Sequence, residues 1–353
     1  MGTIFQNPQQ RATDHQVYRD ELRLADLAEP LGFESIWGVE HHFTDYTMCP
    51  DVIQFLSYMA GRTEHAQLGS MVVVVPWHDP MRVAEEVSML DNLSDGRMIL
   101  GIGRGLARVE YEGFRLEMSE SRTRFIETAE CVINGLENGF CEYEGEFIKQ
   151  PRRDIRPSPF RSFKGRTYAA AISPESFRIM AELGLGILVI PQKPWDEAAN
   201  DLNNYRDVYR QANGSEALPP IVVAWTFCDE SEERAHEMAR QYIGGYWHTV
   251  MDHYEFKSDH LKNIKGYEYY GNMTEKVVKY GDETVMDFFI NLQVWGTPEQ
   301  CYQKIVDIQG HTGNDSYVGV FSYAGMPPED AEHSMRLFAS GVMPQLKELC
   351  LDR

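Results

Sequence analysis

Apolar and polar positions along the chain follow two rhythms: short continuous apolar runs, and longer stretches with apolar residues three or four apart. Residues 2–7, GTIFQN, read as a first short strand, and in 15–31 the residues Val17, Tyr18, Leu22, Ala25 and Leu31 fall near one helical face. A strand is predicted at 35–40, a helix at 51–61 with an aspartate at its start, and a buried parallel strand at 67–75. A helix over 80–93 closes on the turn Ser94-Asp95-Gly96, and 98–103 read as the next strand. The second half continues with a helix at 121–138 and a small hairpin in CEYEGEFIKQ, where Tyr143 and Phe147 flank a Glu-Gly turn. Strands at 167–172, 187–190, 221–228 and 316–321 then alternate with helical patterns at 173–183, 195–212, 230–247 and 328–349.

That alternation gives about eight parallel strands separated by helices, the count of a (β/α)8 barrel. A single domain spanning 1–353 is the expectation, with the hairpin outside the barrel. Between 251 and 287 the sequence is polar, rich in aromatics and without a clean period. Such a segment reads either as a mobile lid-like insertion or as a plain surface insertion.

Composition narrows the partners. Hydrophobic residues make up 43% and charged residues 25%, ordinary for a globular protein with a sizeable core. No apolar run approaches the roughly 20 residues of a membrane span, and MGTIFQNPQQ does not read as a signal peptide. A cytoplasmic location is therefore expected. The net charge of −21, without a basic stripe, disfavours nucleic acid. Cys49, Cys131, Cys141, Cys228, Cys301 and Cys350 form no CxxC pair, so neither a zinc frame nor a dithiol motif is expected.

In a barrel the chemistry lies at the C-terminal ends of the strands. The second strand delivers Glu40, His41 and His42 there. Adjacent histidines point roughly opposite ways, so one is able to face the barrel mouth while the other packs; the residues alone leave open that both are satisfied loop residues. A metal set of Glu40, His41, His42 and Asp45 is disfavoured, because neighbouring histidines rarely converge on one ion. The fourth strand ends in Gly101-Ile102-Gly103-Arg104-Gly105, where glycines admit a ligand close to the backbone and Arg104 offers a phosphate clamp; a tight turn with an exposed arginine is the alternative. After the fifth strand, Ser173 stands at an N-cap position with Pro174 next and Ser176 beyond, which suits either a phosphate or simple capping.

Three segments carry a resemblance. LGFESIWGVEHHFTDY, LGSMVVVVPWHDPMRVAEEVSMLDNLSDGRMILGIGRG and the C-terminal WGTPEQCYQKIVDIQ with SMRLFASGVMPQLKE resemble the bacterial luciferase-like flavin-dependent monooxygenases, in their α-subunit branch. EHHFT is the specific element; LSDGR and GIGRG are shared more widely. The resemblance implies a barrel that uses FMN as FMNH2, with O2, through a C4a-(hydro)peroxyflavin, to oxygenate a small, largely apolar organic substrate. It implies His41 as the catalytic histidine beside the flavin, and Arg104, Ser173 and Ser176 on the FMN phosphate. Met71 and Val72 match residues around a non-proline cis peptide against the flavin ring. Gly103 stands where luciferase carries a reactive cysteine, Ala107 where it has a tyrosine, and Ile172 where it has a glutamate, so light emission is not implied. Lacking a nicotinamide fingerprint, the chain would receive FMNH2 from a separate flavin reductase, and a homodimer is expected, with a heterodimer as the alternative. An F420-dependent hydride-transfer enzyme and a non-catalytic flavin-binding partner subunit are the competing readings.

Overall fold

Eight short parallel strands close on themselves in sequence order. In a computed structural model, which describes residues 1–258 and 260–351 (the side chains of 272–274, 276, 278 and 350–351 apart), they are β1 (Gly2–Thr3), β2 (Ser35–Gly38), β3 (Gln67–Ser70), β4 (Met98–Gly103), β5 (Thr167–Ala170), β6 (Gly186–Val189), β7 (Ile221–Cys228) and β8 (Ser316–Val320). Each pairs in parallel with the next, and β8 returns to β1 through Val320 and Gly2. These are the eight strands that the apolar runs predict. The long runs in β4 and β7 are buried at every residue, as strands covered on both faces must be.

Helices wrap the barrel where the periodicity placed them, and their ends are chemically marked. Asp51 caps Val52–Ala60 by accepting from the Gln54 N–H, and Ser121–Asn138 ends on Gly139 in the left-handed region. The hairpin of Phe140–Glu144 and Lys149–Asp154 is antiparallel and outside the barrel. Among the described residues no helix is long and apolar enough to cross a membrane. The five cysteines whose side chains are described are buried and unbridged; Cys350 lies outside that set.

Four differences from the sequence expectation bear on the site. The run 67–75 is not one strand: β3 stops at Ser70 and Val73–Val74 pairs again with β4, the break falling at Met71–Val72, whose peptide is cis as the resemblance implies. The helix expected at 230–247 carries a π-helical stretch, Ala239–Ile243, before continuing as Gly244–His253. An inserted π turn rotates the helix beyond it and is frequent beside functional sites. The 328–349 pattern is two helices, Pro328–Gly341 and Met343–Leu351. Finally, 251–287 is largely helical, with Glu268–Tyr280 and Asp282–Leu292; Asp259 within it lies outside the described residues. A short helix at Arg108–Phe114 and one at Pro298–Thr312, closed by a Thr297–Gln300 capping box, complete the shell.

Candidate active site

At the C-terminal mouth of the barrel lies a cleft of about 1430 Å³, counted out to its open side. Successive strand ends supply its wall: His41 after β2, Met71 and Val72 after β3, Gly103 and Arg104 at the end of β4, and Ser176 after β5. Six of the seven residues singled out from the sequence thus line one cavity. Ser173 does not line it. Its Oγ accepts from the Ser176 N–H at 3.2 Å and lies 2.8 Å from the Ser176 hydroxyl, so it caps the helix Pro174–Glu182 and stands behind Ser176.

The two histidines differ in role by geometry. His41 Nδ1 lies 2.9 Å from Glu110 Oε1, which also accepts from the His42 backbone N–H at 2.9 Å. Burial alone would push the Glu110 carboxyl up, but the facing His41 and His253 imidazoles hold it down at about 2. An ionised carboxylate only accepts, so the bonded Nδ1 of His41 carries the proton. His41 Nε2 is left toward the cleft, 3.4 Å from the Tyr254 hydroxyl. His253 Nε2, at 3.7 Å from Glu110, is beyond hydrogen-bond range. Burial, with the adjacent His41, lowers its pKa against the pull of Glu110, and its Nδ1 lies 3.1 Å from the Thr44 hydroxyl.

His42 is 8% exposed and turns the other way, into Trp77 and Phe114. Its Nε2 is 2.9 Å from Glu40 Oε1, which also meets His78 Nε2 at 2.6 Å. Glu40 Oε2 accepts from the Val74 N–H at 2.8 Å, tying the loop after β2 to the chain just beyond the cis peptide. Burial would raise Glu40, but the hydrogen bonds from His42 and His78 bring it below the usual carboxylate value; burial would lower His78, but Glu40 raises it. Asp45 joins neither of these clusters. Glu40, His42 and His78, like His41, Glu110 and His253, are close enough to hold an ion, but within each set the carboxylate accepts from imidazole.

The cationic end of the cleft has two guanidiniums. Arg104 and Arg122 both line it and both donate to the Gly266 carbonyl, at 2.8 and 3.2 Å. Burial, and then the charge of Arg104, lower the pKa of Arg122, so two like charges crowd one end of the cavity. Arg122 also pairs with Glu175, in the first turn of the helix that carries Ser176. The Tyr267 ring lies under Arg104, 4.0 Å from its guanidinium carbon, and the Tyr267 hydroxyl donates to the Gly105 carbonyl at 2.9 Å.

The floor is apolar. A Cβ at Gly103 would come within 2.3 Å of Val72 Cγ2, so the Val72 side chain fills the space that a side chain at 103 would need. Ile172 lines the cleft as a neutral group, and Ala107 is fully buried at the start of the helix Arg108–Phe114.

Sequence reasoning missed Glu110, Arg122, Trp225, Tyr246, His253 and Tyr254. Arg122 did leave a signal: a cation in the first turn of Ser121–Asn138 opposes the helix dipole and calls for a reason. Glu110 sits in a short helix beside exposed Glu112, and nothing in the local pattern separates the buried acid from the solvated one.

With this geometry in hand, known proteins give a consistent picture. Residues 1–314 match the model of the luciferase-like monooxygenases. The alkanal monooxygenase alpha chain of Photorhabdus luminescens is 27% identical over 352 residues, covering 98% of this chain and 96% of that one. The oxygenase component of a flavin-dependent trigonelline monooxygenase from Acinetobacter baylyi is 29% identical over 234 residues, 65% of this chain and 64% of its own. Among solved structures, the monooxygenase RslO1 from Streptomyces bottropensis superposes with a TM-score of 0.81 at 25% identity, covering 98% of each chain.

Proposed function

Because the chain belongs to the luciferase-like monooxygenase family, we propose that it is a flavin-dependent monooxygenase that binds FMN as FMNH2 and uses O2 to oxygenate a small, largely apolar organic substrate. The observation that carries this reading is the polarity of the cleft, with a paired guanidinium end at Arg104 and Arg122 and an apolar floor at Met71, Val72 and Gly103. Charge crowding between the two arginines is relieved by a bound dianion, and Ser176, in the first turn of the helix Pro174–Glu182, adds a hydroxyl. Glycine at 103 keeps the strand end low, leaving Val72 to form the floor.

When bound, the reduced flavin supplies the electrons that activate oxygen. The chain's own part is to position and protect. Arg104, Arg122 and Ser176 hold the phosphate end, and Ser173 fixes Ser176. His41 Nε2, held toward the cleft by the Glu110 contact at Nδ1, accepts a proton from, or returns it to, the reacting oxygen. Tyr254, Phe256 and Tyr270 roof the cleft from the segment 251–287, which serves as the lid that excludes water.

A separate reductase delivers the FMNH2, a reading supported by the naming of the Acinetobacter baylyi relative as an oxygenase component. Tyr58, Met89 and Leu93, each about half exposed on the helices Val52–Ala60 and Pro80–Leu93, support a homodimer through the first half of the chain. Anaerobic titration of the purified protein with FMNH2 and, separately, with reduced F420 tests the cofactor. Saturable binding of FMNH2 in preference to F420 is expected; the reverse order would replace the monooxygenase reading with hydride transfer.

A further inference from the structure

A side chamber adjoins the main cleft, and its wall has a different character from the rest. The chamber measures about 710 Å³ counted out to its open side, and among the described residues eight of the thirteen that line it are aromatic and none is charged. Tyr46, Trp225, Tyr246, Tyr254 and Phe256 belong to both spaces, and Tyr46 and Tyr254 also pack edge-on to His41, so the chamber adjoins the His41 side of the cleft. The rings are already mutually tilted, with Trp225 and Tyr246 centroids 4.1 Å apart and Tyr46 and Tyr254 edge-on at 5.6 Å. Such a wall offers ring faces and edges at several angles, which a flat aromatic guest uses and a flexible alkyl chain does not.

One polar atom in that wall has nothing to bind. Trp225 projects from β7 on the same face as Val223, both lining the cavity, and is 7% exposed. Its indole Nε1 is buried and has no hydrogen-bond partner. Other buried indoles find acceptors: Trp37 donates to the Ser35 hydroxyl at 2.8 Å and Trp247 to Asp282 at 3.3 Å. The two that do not, Trp77 and Trp225, both line the main cleft. A buried donor without an acceptor is destabilising, and a guest whose binding turns the indole so that its N–H meets an oxygen removes the cost. The neighbouring hydroxyls do not compete for it, since Tyr46 and Tyr246 are bonded to each other at 2.6 Å.

We propose that the side chamber selects a neutral, flat aromatic substrate carrying a carbonyl or phenolic oxygen, with the Trp225 indole N–H donating to that oxygen. This names the substrate class of the oxygenation proposed above and rests on that reading for its chemistry, though not for its binding. The absence of charge from the chamber excludes carboxylate and ammonium guests, which would be buried unpaired there.

Three probes separate the features: 1-tetralone has rings and a carbonyl, tetralin has the rings alone, and decanal has a carbonyl on an alkyl chain. Calorimetric titration of the full chain should give 1-tetralone an affinity about tenfold above tetralin and above decanal, the scale of one well-made hydrogen bond. In Trp225→Phe the margin over tetralin should vanish while tetralin itself binds as before, which also reports that the chamber is intact. Decanal binding as tightly as 1-tetralone in the parent protein would overturn the proposal, as would a margin that survives in Trp225→Phe. FMNH2 titrated into the same samples keeps the two readings apart. Loss of the flavin signal with the tetralone preference intact sinks the monooxygenase reading alone, and the converse sinks the chamber alone.

Discussion

His41 Nδ1 and Glu110 Oε1 lie 2.9 Å apart, and this one contact decides which imidazole nitrogen faces the cleft. Because Glu110 remains ionised down to about pH 2, it fixes the proton on Nδ1 throughout the neutral range and leaves Nε2 as the working atom. General acid–base assistance is typically worth about 10² to 10⁴ in rate, so His41→Ala should lower product formation on that scale. Its FMNH2 affinity should stay near that of the parent. His42→Ala, which breaks the contact to Glu40, should instead lose folding stability. Stopped-flow turnover and chemical denaturation of both variants check the division; equal losses of turnover would refute it.

At the cationic end, Arg104→Ala should weaken FMNH2 binding by about 1.5 to 3 kcal/mol, the worth of a charged hydrogen bond. Arg122→Ala should do the same if both guanidiniums serve one anion. Free riboflavin, which lacks the phosphate, should lose little affinity in either variant. A titration in which riboflavin suffers as much as FMN would mean that the arginines shape the cleft rather than hold the phosphate.

The pair Glu40 and His78 carries a pH signature. Glu40 raises the His78 pKa above its ordinary 6.5 despite burial. A raised folded-state pKa stabilises below the unfolded value, and the contribution disappears as pH climbs through the folded value. The stability gap between the parent and His78→Gln should therefore be about 1.5 to 3 kcal/mol under mildly acid conditions and shrink as pH rises above 6.5. Denaturation midpoints measured on either side of that value test it; a gap independent of pH would remove the charge from the account.

Val72 and Gly103 should behave as one unit. A side chain at 103 meets Val72 Cγ2 at 2.3 Å, so Gly103→Cys should destabilise the protein by about 1 to 3 kcal/mol, the usual cost of overpacking. Combining it with Val72→Ala should recover most of that loss, a coupling that a double-mutant cycle measures directly. Additive losses would show that the two sites are independent.

The barrel was legible because its strands are unbroken apolar runs and its helices keep their period; all eight strands fell where the runs lie. The break at Met71–Val72 was absent from the apolar pattern, since MVVVV reads as continuous strand whichever way its peptides turn, and the cis peptide there was implied by the family resemblance alone. The helices within 251–287 were hidden because this segment packs through scattered aromatics such as Tyr254, Phe256 and Tyr270 rather than through an aliphatic stripe. Of the cleft, His41 and Arg104 stand at strand ends and could be found from the chain alone. Trp225 reaches it only through tertiary placement, from a strand buried at every residue, while Glu110 from a short helix and His253 from beyond a π-helical turn stand behind His41.

The central claim is that this cleft binds reduced FMN and governs its reaction with oxygen. Mixing the FMNH2-loaded protein with oxygenated buffer, and following the return of oxidised-flavin absorbance, tests it most directly. Oxidised flavin should reappear much more slowly than with free FMNH2, and more slowly in the parent than in His41→Ala. Reoxidation of FMNH2 at the free rate in the presence of saturating protein would contradict the claim.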